Sequence, residues 1–475
     1  MKRAIAFALT SLAFLSHPAL SKDLLGVYED ALKSDPTIRE AEANRRAARE
    51  SRPQAWSQLL PQLDAFGEIA RNKSDGTTLQ PNPNRNIPGA PSAFAVPQNA
   101  TIDQTQYQIR LRQSVFSWAN WQSLRRASSQ VAQAEADYQA AEQDLILRVS
   151  QRYFDVLSAK DNVEAEQAAQ EAISRQLDQA NKRFEVGLIA ITDVQEAKAA
   201  RDSSTAAVIA SKRNLSTAEE LLREFTDAAY SELSRPNNTM PLLSPDPADA
   251  EQWVQLSMDQ NLALVSSRLA ADIARSNVGI ARGGHIPTLD IVGAHGKIDE
   301  DTTIDGIRDD GSFGRTTNDV STFSKNDSIS LQITVPLFSG GLTQSQVRQS
   351  QYLWIAAKER MTRVSRETER AARDAYLGVI SEISRVQALK QALESSQTAL
   401  KATEAGYEVG TRTAVDVLQG RQTLVRAQTD FARSRYDYIL NVIQLKLAAG
   451  NLDRETLREV NQWLADSQPL PATTP

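Results

Sequence analysis

Cysteine is missing from all 475 residues. That excludes a disulfide framework, thiolate metal sites, a cysteine nucleophile and a lipidated N-terminal cysteine. Histidine is scarce: His285 and His295 are the only ones beyond the first 21 residues. They flank a short extended stretch without metal-ligand spacing, and no phosphate loop or nucleophile elbow occurs. The chain is therefore not read as an enzyme, and no cofactor or metal is expected. Lysine and arginine total 53 against 59 acidic residues, so the basic excess of a nucleic-acid binder is absent. Long apolar runs are absent too, except in residues 1–21. There Lys2-Arg3, an apolar stretch from Ala4 to Leu15 and a small-x-small end at Ala19-Leu20-Ser21 read as a secretory signal. Its removal would take away two cations and no acid, moving the formal charge from -6 to -8. No later stretch approaches the roughly 18 apolar residues of a membrane-spanning helix. If this protein holds a membrane, it does so by neither helix nor lipid. Glycine (20) and proline (18) are few for the length, which suits long amphipathic helices.

What is present is a long internal repeat. Phe184-Glu185-Val186-Gly187-Leu188-Ile189-Ala190-Ile191-Thr192-Asp193-Val194 overlays Tyr407-Glu408-Val409-Gly410-Thr411-Arg412-Thr413-Ala414-Val415-Asp416-Val417. Each copy reads as a helix ending at a left-handed glycine, a turn, and a Thr or Asp starting the next helix. The first turn is apolar and the second polar, so the second is expected to face something wetter or more charged. The resulting division is a signal at 1–21, repeat one at 22–235, a proline-marked linker at 236–250, repeat two at 251–450, and a short helix with a Pro/Thr tail at 451–475.

Within repeat one, Lys22 to Ser57 is helical in pattern with a break at Asp35-Pro36, and Gln62 to Asn72 turns extended. The Pro, Asn and Gly of 73–103 predict a long solvated loop. Tyr107, Ile109 and Leu111 alternate with Gln108, Arg110 and Arg112, the period of a strand with one wet face. Ser117 is a plausible N-cap for a helix running to Gly187. Its Leu124, Val131, Tyr138 and Leu145 recur every seven residues, with alanines interleaved, as a coiled-coil seam. About 65 residues at ~1.5 Å each give roughly 100 Å of rod. A second helix runs to about Ala228. Repeat two follows the same plan: a helix from Trp253 to Ala281, an extended stretch after Pro287, an acidic loop over 299–326, and the cleanest strand of the chain. There Ile329, Leu331, Ile333, Val335 and Leu337 alternate with polar residues. Another helix of about 65 residues leads to the second turn, and the last helix carries Val417, Leu424, Phe431, Tyr438 and Leu445 at sevens.

Strands of about 10 to 12 residues with one apolar face can cross an outer membrane when tilted. Four are too few to close a barrel, which needs at least about eight. Several copies must then share one. The repeat, the Phe-Ser pairs at 116–117 and 338–339 where strand joins helix, and the two turn motifs together resemble the TolC family of outer-membrane channels over roughly 22–460. The resemblance implies an α+β membrane protein with an internal two-fold repeat. It implies a homotrimer in which four strands per chain form a shared 12-stranded trimeric β-barrel, continued by a long α-helical coiled-coil barrel. It also implies an outer-membrane location reaching into the periplasm. The expected partners are a periplasmic adaptor (membrane fusion protein), an inner-membrane ABC or RND transporter and outer-membrane lipid. The implied task is export of proteins or small toxic compounds. The absence of cysteine fits the unlipidated members.

By the same resemblance Asp416 is a pore-facing acidic ring. Gln419 stands where some members carry a second Asp, leaving three carboxylates at the entrance instead of six. Tyr407 and Arg412 become latch residues directed toward Thr192 and Asp193 on a neighbouring coil, and Gly187 and Gly410 become the turn glycines. The plain alternative for Arg412 and Asp416 is an i,i+4 ion pair worth ~0.3–0.5 kcal/mol. The rival to the channel as a whole is a periplasmic coiled-coil adaptor or spacer, which would have no alternating strands.

Overall fold

The computed structural model describes residues 21–82, 85–237, 240–307 and 315–465. The expected signal, apart from Ser21, and the tail beyond 465 lie outside the described residues. Three helices open the chain, α1 (Leu24–Ser34), α2 (Pro36–Arg49) and α3 (Ser51–Ser57). The hairpin β1 (Gln62–Pro81) and β2 (Ala93–Phe116) leads into α4 (Trp118–Glu185) and α5 (Ile191–Thr226). After β3 (Arg235–Pro236) the plan recurs as α6 (Ala250–Gln260), α7 (Leu262–Gly283), β4 (Thr288–Ile307), β5 (Arg315–Thr334), α8 (Leu342–Glu408) and α9 (Ala414–Ala449). Then α10 (Arg454–Gln462) and β6 (Leu464–Ala465) close it. Two compact units result. One holds residues up to 46, 133–268 and from 359 on; the other holds 47–132 and 269–358. Among the described residues no helix is long and apolar enough to cross a membrane.

The sequence-expected loops are strands. Residues 73–81 pair with 93–101, and 299–307 pair with 315–323, so the ladders run almost to the hairpin tips. The strands are 20, 24, 20 and 20 residues long, twice the expected length. Toward the tips their Asp, Asn, Thr and Ser leave both faces wet, so period-two amphipathicity disappears. The backbone ladder holds those ends, helped by cross-strand side-chain bonds such as Thr317 Oγ1 donating to Asp305 at 2.7 Å. Proline is tolerated as well: Pro97 falls in the part of β2 whose register pairs it only with β1.

The single helices expected before each hairpin are divided. The Asp35 carboxylate accepts from Thr37 N–H at 2.8 Å and restarts the helix at Pro36. The Asn261 side chain accepts from Leu264 N–H at 3.1 Å and donates to the Ala448 carbonyl at 3.0 Å, ending α6 and starting α7 while tying both to α9.

The first unit has the main core. Leu24, Tyr28, Leu145, Tyr153, Phe154, Leu157, Tyr438, Ile439, Ile443 and Leu457 are almost fully buried in one cluster. Removing such a side chain from water contributes about 1.5–3 kcal/mol. The buried phenols are satisfied: Tyr153 donates to Ser234 O at 2.7 Å, and Tyr438 donates to Leu243 O at 3.0 Å. The strap between repeats is part of this core, since β3 pairs with β6 and Trp253 donates to Pro247 O at 2.8 Å. Gly450 ends α9 with φ +82° at a spot where any Cβ would meet the Gln260 carbonyl oxygen at 2.4 Å.

Candidate functional site

In the second unit the strand order is β1-β2-β4-β5, antiparallel throughout. Paired residues point to the same side, so the register sorts the side chains into two faces. One face carries Leu63, Ala65 and Ile69, then Tyr107, Ile109 and Leu111, then Leu289 and Ile291, then Ile329, Leu331 and Ile333. The other carries Asp64, Glu68, Gln106, Gln108, Arg110, Arg112, Asp290, Ser328, Ser330 and Gln332. On this second face Arg112 donates to a buried Asp290 at 3.0 Å. The apolar face is uncovered: Ile329 is 84% exposed and Leu331 62%.

The apolar stretch does not follow one cross-strand row. Leu63, Leu111, Gly293 and Ile329 share a row. From that row the apolar run extends toward the hairpin tip on β1, as far as Ile69. On β5 it extends toward the helix and continues past the strand's end at Thr334 as far as Leu337. A level slab of lipid crossing strands tilted by 35–45° demands such a diagonal. The β5 run, nine residues at ~3.3 Å each, covers about 20 Å of height at that tilt, close to the ~25 Å apolar band of membrane barrels.

The two helical turns lie in the first unit. Gly187 and Gly410 have φ of +78° and +81°, the left-handed region that L side chains avoid. Around the first, Leu188 N–H bonds to Arg183 O at 2.9 Å, and Ala190 caps α5 without a side-chain bond. Around the second, Thr411 N–H bonds to Gly406 O at 2.8 Å. Thr413 and Asp416 then form a reciprocal capping box. Asp416 N–H donates to Thr413 Oγ1 at 3.2 Å, while Thr413 N–H donates to Asp416 Oδ2 at 2.9 Å. These bonds from Thr413, with a smaller contribution from the nearby Arg412 charge, hold the Asp416 carboxyl below the usual carboxylate range.

The plain alternative of an i,i+4 Arg412–Asp416 ion pair is corrected. Thr413 is the cap, so Arg412 precedes the helix and no such rung exists. Among the described residues Arg412 and Asp193 form no ion pair. Tyr407 meets the Arg183 guanidinium, 5.2 Å above its ring, and not Thr192 or Asp193. Gln419 and Thr192 are exposed, Asp416 and Asp193 half-buried. Within one chain the latch residues are therefore not brought together.

Three further residues matter here. Thr413 was legible, since Thr-x-x-Asp before an apolar position is a helix-start signature. Arg183 stands directly before the Phe184 of the first motif, and only packing reveals its target. Arg421 donates to Glu404 at 2.6 Å and ties α9 to α8 about two turns above the tip. Their spacing of 17 residues has no local signal.

An amphipathic four-stranded sheet whose outer strands have no further partner among the described residues, joined in sequence to helices of 68 and 67 residues, is the architecture of an outer-membrane channel chain. The family model of the outer membrane efflux protein matches residues 27–226 and 253–451, and the chain belongs to that family. It is 36% identical to Outer membrane protein TolC of Escherichia coli K12, over 96% of this chain and 87% of that protein. The Vibrio cholerae TolC is 33% identical, covering 96% and 97%. The alkaline protease secretion protein AprF of Pseudomonas aeruginosa is 26% identical, over 94% and 89%. The fold is shared with the Campylobacter jejuni CmeC outer membrane channel at a TM-score of 0.71 and 18% identity, over 98% of this chain and 97% of that one.

Proposed function

We propose that the protein is an outer-membrane channel for efflux and type I secretion, working as a homotrimer. Three copies would pool four strands each into one 12-stranded barrel, continued into the periplasm by their paired helices. The observation that carries this reading is the sheet itself. It is apolar on one face and polar on the other, and β1 and β5 each present a 20-residue edge with no partner among the described residues. Such an edge with an uncovered apolar face cannot remain in water; closure with other copies satisfies both demands.

The turns of α4–α5 and α8–α9 form the periplasmic entrance in this reading. Asp416 from each copy lines it as a carboxylate ring, with Gln419 beside it. Tyr407 and Arg412 latch onto Thr192 and Asp193 of a neighbouring coil, contacts left unmade inside one chain. The exposed Val186, Leu188 and Val409 at the two turns offer apolar anchors to a periplasmic adaptor, which couples the channel to an inner-membrane ABC or RND transporter. Repeat one (22–235) and repeat two (251–450) then serve as two quasi-equivalent wall segments.

The test is heat-modifiable migration on a gel combined with planar-bilayer recording. A complex of three chains that dissociates on boiling and conducts ions is expected. A monomer without conductance would overturn the reading and favour a coiled-coil adaptor or spacer.

A further inference from the structure

We infer that the outward face of the sheet carries a binding girdle for the phosphate groups of lipid headgroups, centred on Lys297 and Lys325 with Arg71 and Lys73 beside them. The inference rests on the reading of that face as lipid-facing. Its starting point is where charge begins. Counting from the tipward end of each apolar run, the second and fourth outward residues are Arg71 and Lys73 on β1 and Thr105 and Asp103 on β2. On β5 they are Asp327 and Lys325, whose row partners on β4, the fourth and sixth residues beyond Ile291, are His295 and Lys297. That tier holds four permanent cations against two carboxylates. One residue outward again stand Asp75 and Asp299, so the excess of cations is confined to the tier next to the apolar band.

On the inward face the neighbouring positions are Ala70 and Asn72, Gln104 and Gln106, Ala294 and Gly296, and Ser324 and Asn326, none of them charged. Charges meant for water would have no reason to choose one face. Charges meant for a headgroup layer must be on the lipid side, just past the acyl chains.

Lys297 and Lys325 are direct cross-strand partners. Like charges placed opposite each other destabilise a ladder unless something lies between them. Lys297 is partly answered by Asp299 Oδ2 at 2.5 Å, and its ammonium lies 5.9 Å from the Phe323 ring. Lys325 has no ion pair among the described residues. Partner Cα atoms are about 4.5–5.5 Å apart, so both flexible ammonium groups can reach one phosphate. The two carboxylates of the tier are already engaged: Arg71 forks onto Asp103 at 2.5 and 2.9 Å, and His295 contacts Asp327. Neither carboxylate therefore holds Lys325 away from an incoming anion. Tyr107, in the same row as the two lysines, and the exposed Phe323 supply the amphipathic rings that favour a membrane interface.

The experiment compares the assembled wild-type channel with Lys297→Gln/Lys325→Gln and, as a lysine control away from the sheet, Lys401→Gln. Each is incubated in micelles with bis-phosphorylated lipid A or with its dephosphorylated form, and retained lipid is counted by native mass spectrometry. Wild type and Lys401→Gln should retain the phosphorylated lipid at least about 5-fold better, and the double variant should lose most of that preference. Conductance and heat-modifiable assembly should not change. Absence of a preference in an assembled, conducting wild type overturns the girdle and leaves the channel standing. Absence of assembly or conductance in wild type overturns the channel reading itself. Full preference in the double variant, or displacement of the lipid by millimolar inorganic phosphate alone, also overturns the girdle. Should the double variant fail to assemble, Lys325→Gln alone, at an exposed position, decides the same question by halving the preference or leaving it intact.

Discussion

The Asp416 carboxylate accepts from both the backbone N–H and the hydroxyl of Thr413, and this local work sits beside its proposed place in the pore. The two roles separate by substitution. Asp416→Asn keeps an acceptor for the cap and removes the charge; Asp416→Ala removes both. Block of conductance by trivalent cations should disappear in both variants, while only the alanine variant should fray the start of α9, seen as faster amide exchange there. Equal block in wild type and Asp416→Asn would remove Asp416 from the pore. Because the bonds from Thr413 depress this carboxyl, the cap is fully present above the ordinary carboxylate pKa of ~3.9 and is lost as pH falls through the lower folded value. Arg412 and Tyr407 give a second prediction. Exposed polar contacts are worth only ~0.2–1 kcal/mol each, so a docking partner can displace a few at modest cost. Arg412→Ser with Tyr407→Phe should leave trimer stability nearly unchanged and raise single-channel conductance several-fold. Wild-type conductance in planar bilayers would mean that the tip is closed by something else.

The strands show where alternation stops being a guide. Leu331 is legible as part of an apolar face because its neighbours alternate, and the register puts it on one face with Ile291. Replacing it by arginine near the bilayer midplane should cost ~2–4 kcal/mol, read as loss of assembled trimer in a denaturant titration. Ser330→Arg, one residue away on the polar face, should cost far less. Comparable losses in the two variants would contradict the two-faced sheet. The tipward halves of the same strands escaped sequence reading because Asn, Asp, Thr and Gly carry loop propensity and no period there. What decides them is pairing with another strand, which between β2 and β4 is about 200 residues away. In the helices the heptad positions mark a real seam, with Leu145, Val417 and Leu445 buried. The Arg421–Glu404 tie that couples α9 to α8 has no sequence period at all.

Taken across the chain, the core of the first unit is unusually rich in buried phenols. Burial pushes the Tyr230 hydroxyl up to about 12, and pushes Tyr153 and Tyr436 higher still. The neutral phenol is the favoured folded form, so this stabilisation is complete below pH ~10, the unfolded value. It is lost as the unfolded chain ionises first between ~10 and about 12. Tyrosinate absorbance and near-ultraviolet circular dichroism should therefore stay native through about pH 10 and change together above it. Ionisation of all ten tyrosines near pH 10 with the core intact would show that these hydroxyls are accessible.

The sequence by itself determined the two-fold repeat, the helical hairpins with Gly187 and Gly410 at their turns, and the alternating faces beside Phe116 and Phe338. Each of these depends on residues within a turn or two of one another, where backbone conformation and periodicity act locally. Tertiary structure alone decided the full strand lengths, the diagonal apolar band, the Arg421–Glu404 tie and the meeting of Arg183 with Tyr407. Those depend on which distant segments share a ladder or a helix face. That choice is made by chain topology and packing, which leave no period in the sequence to read.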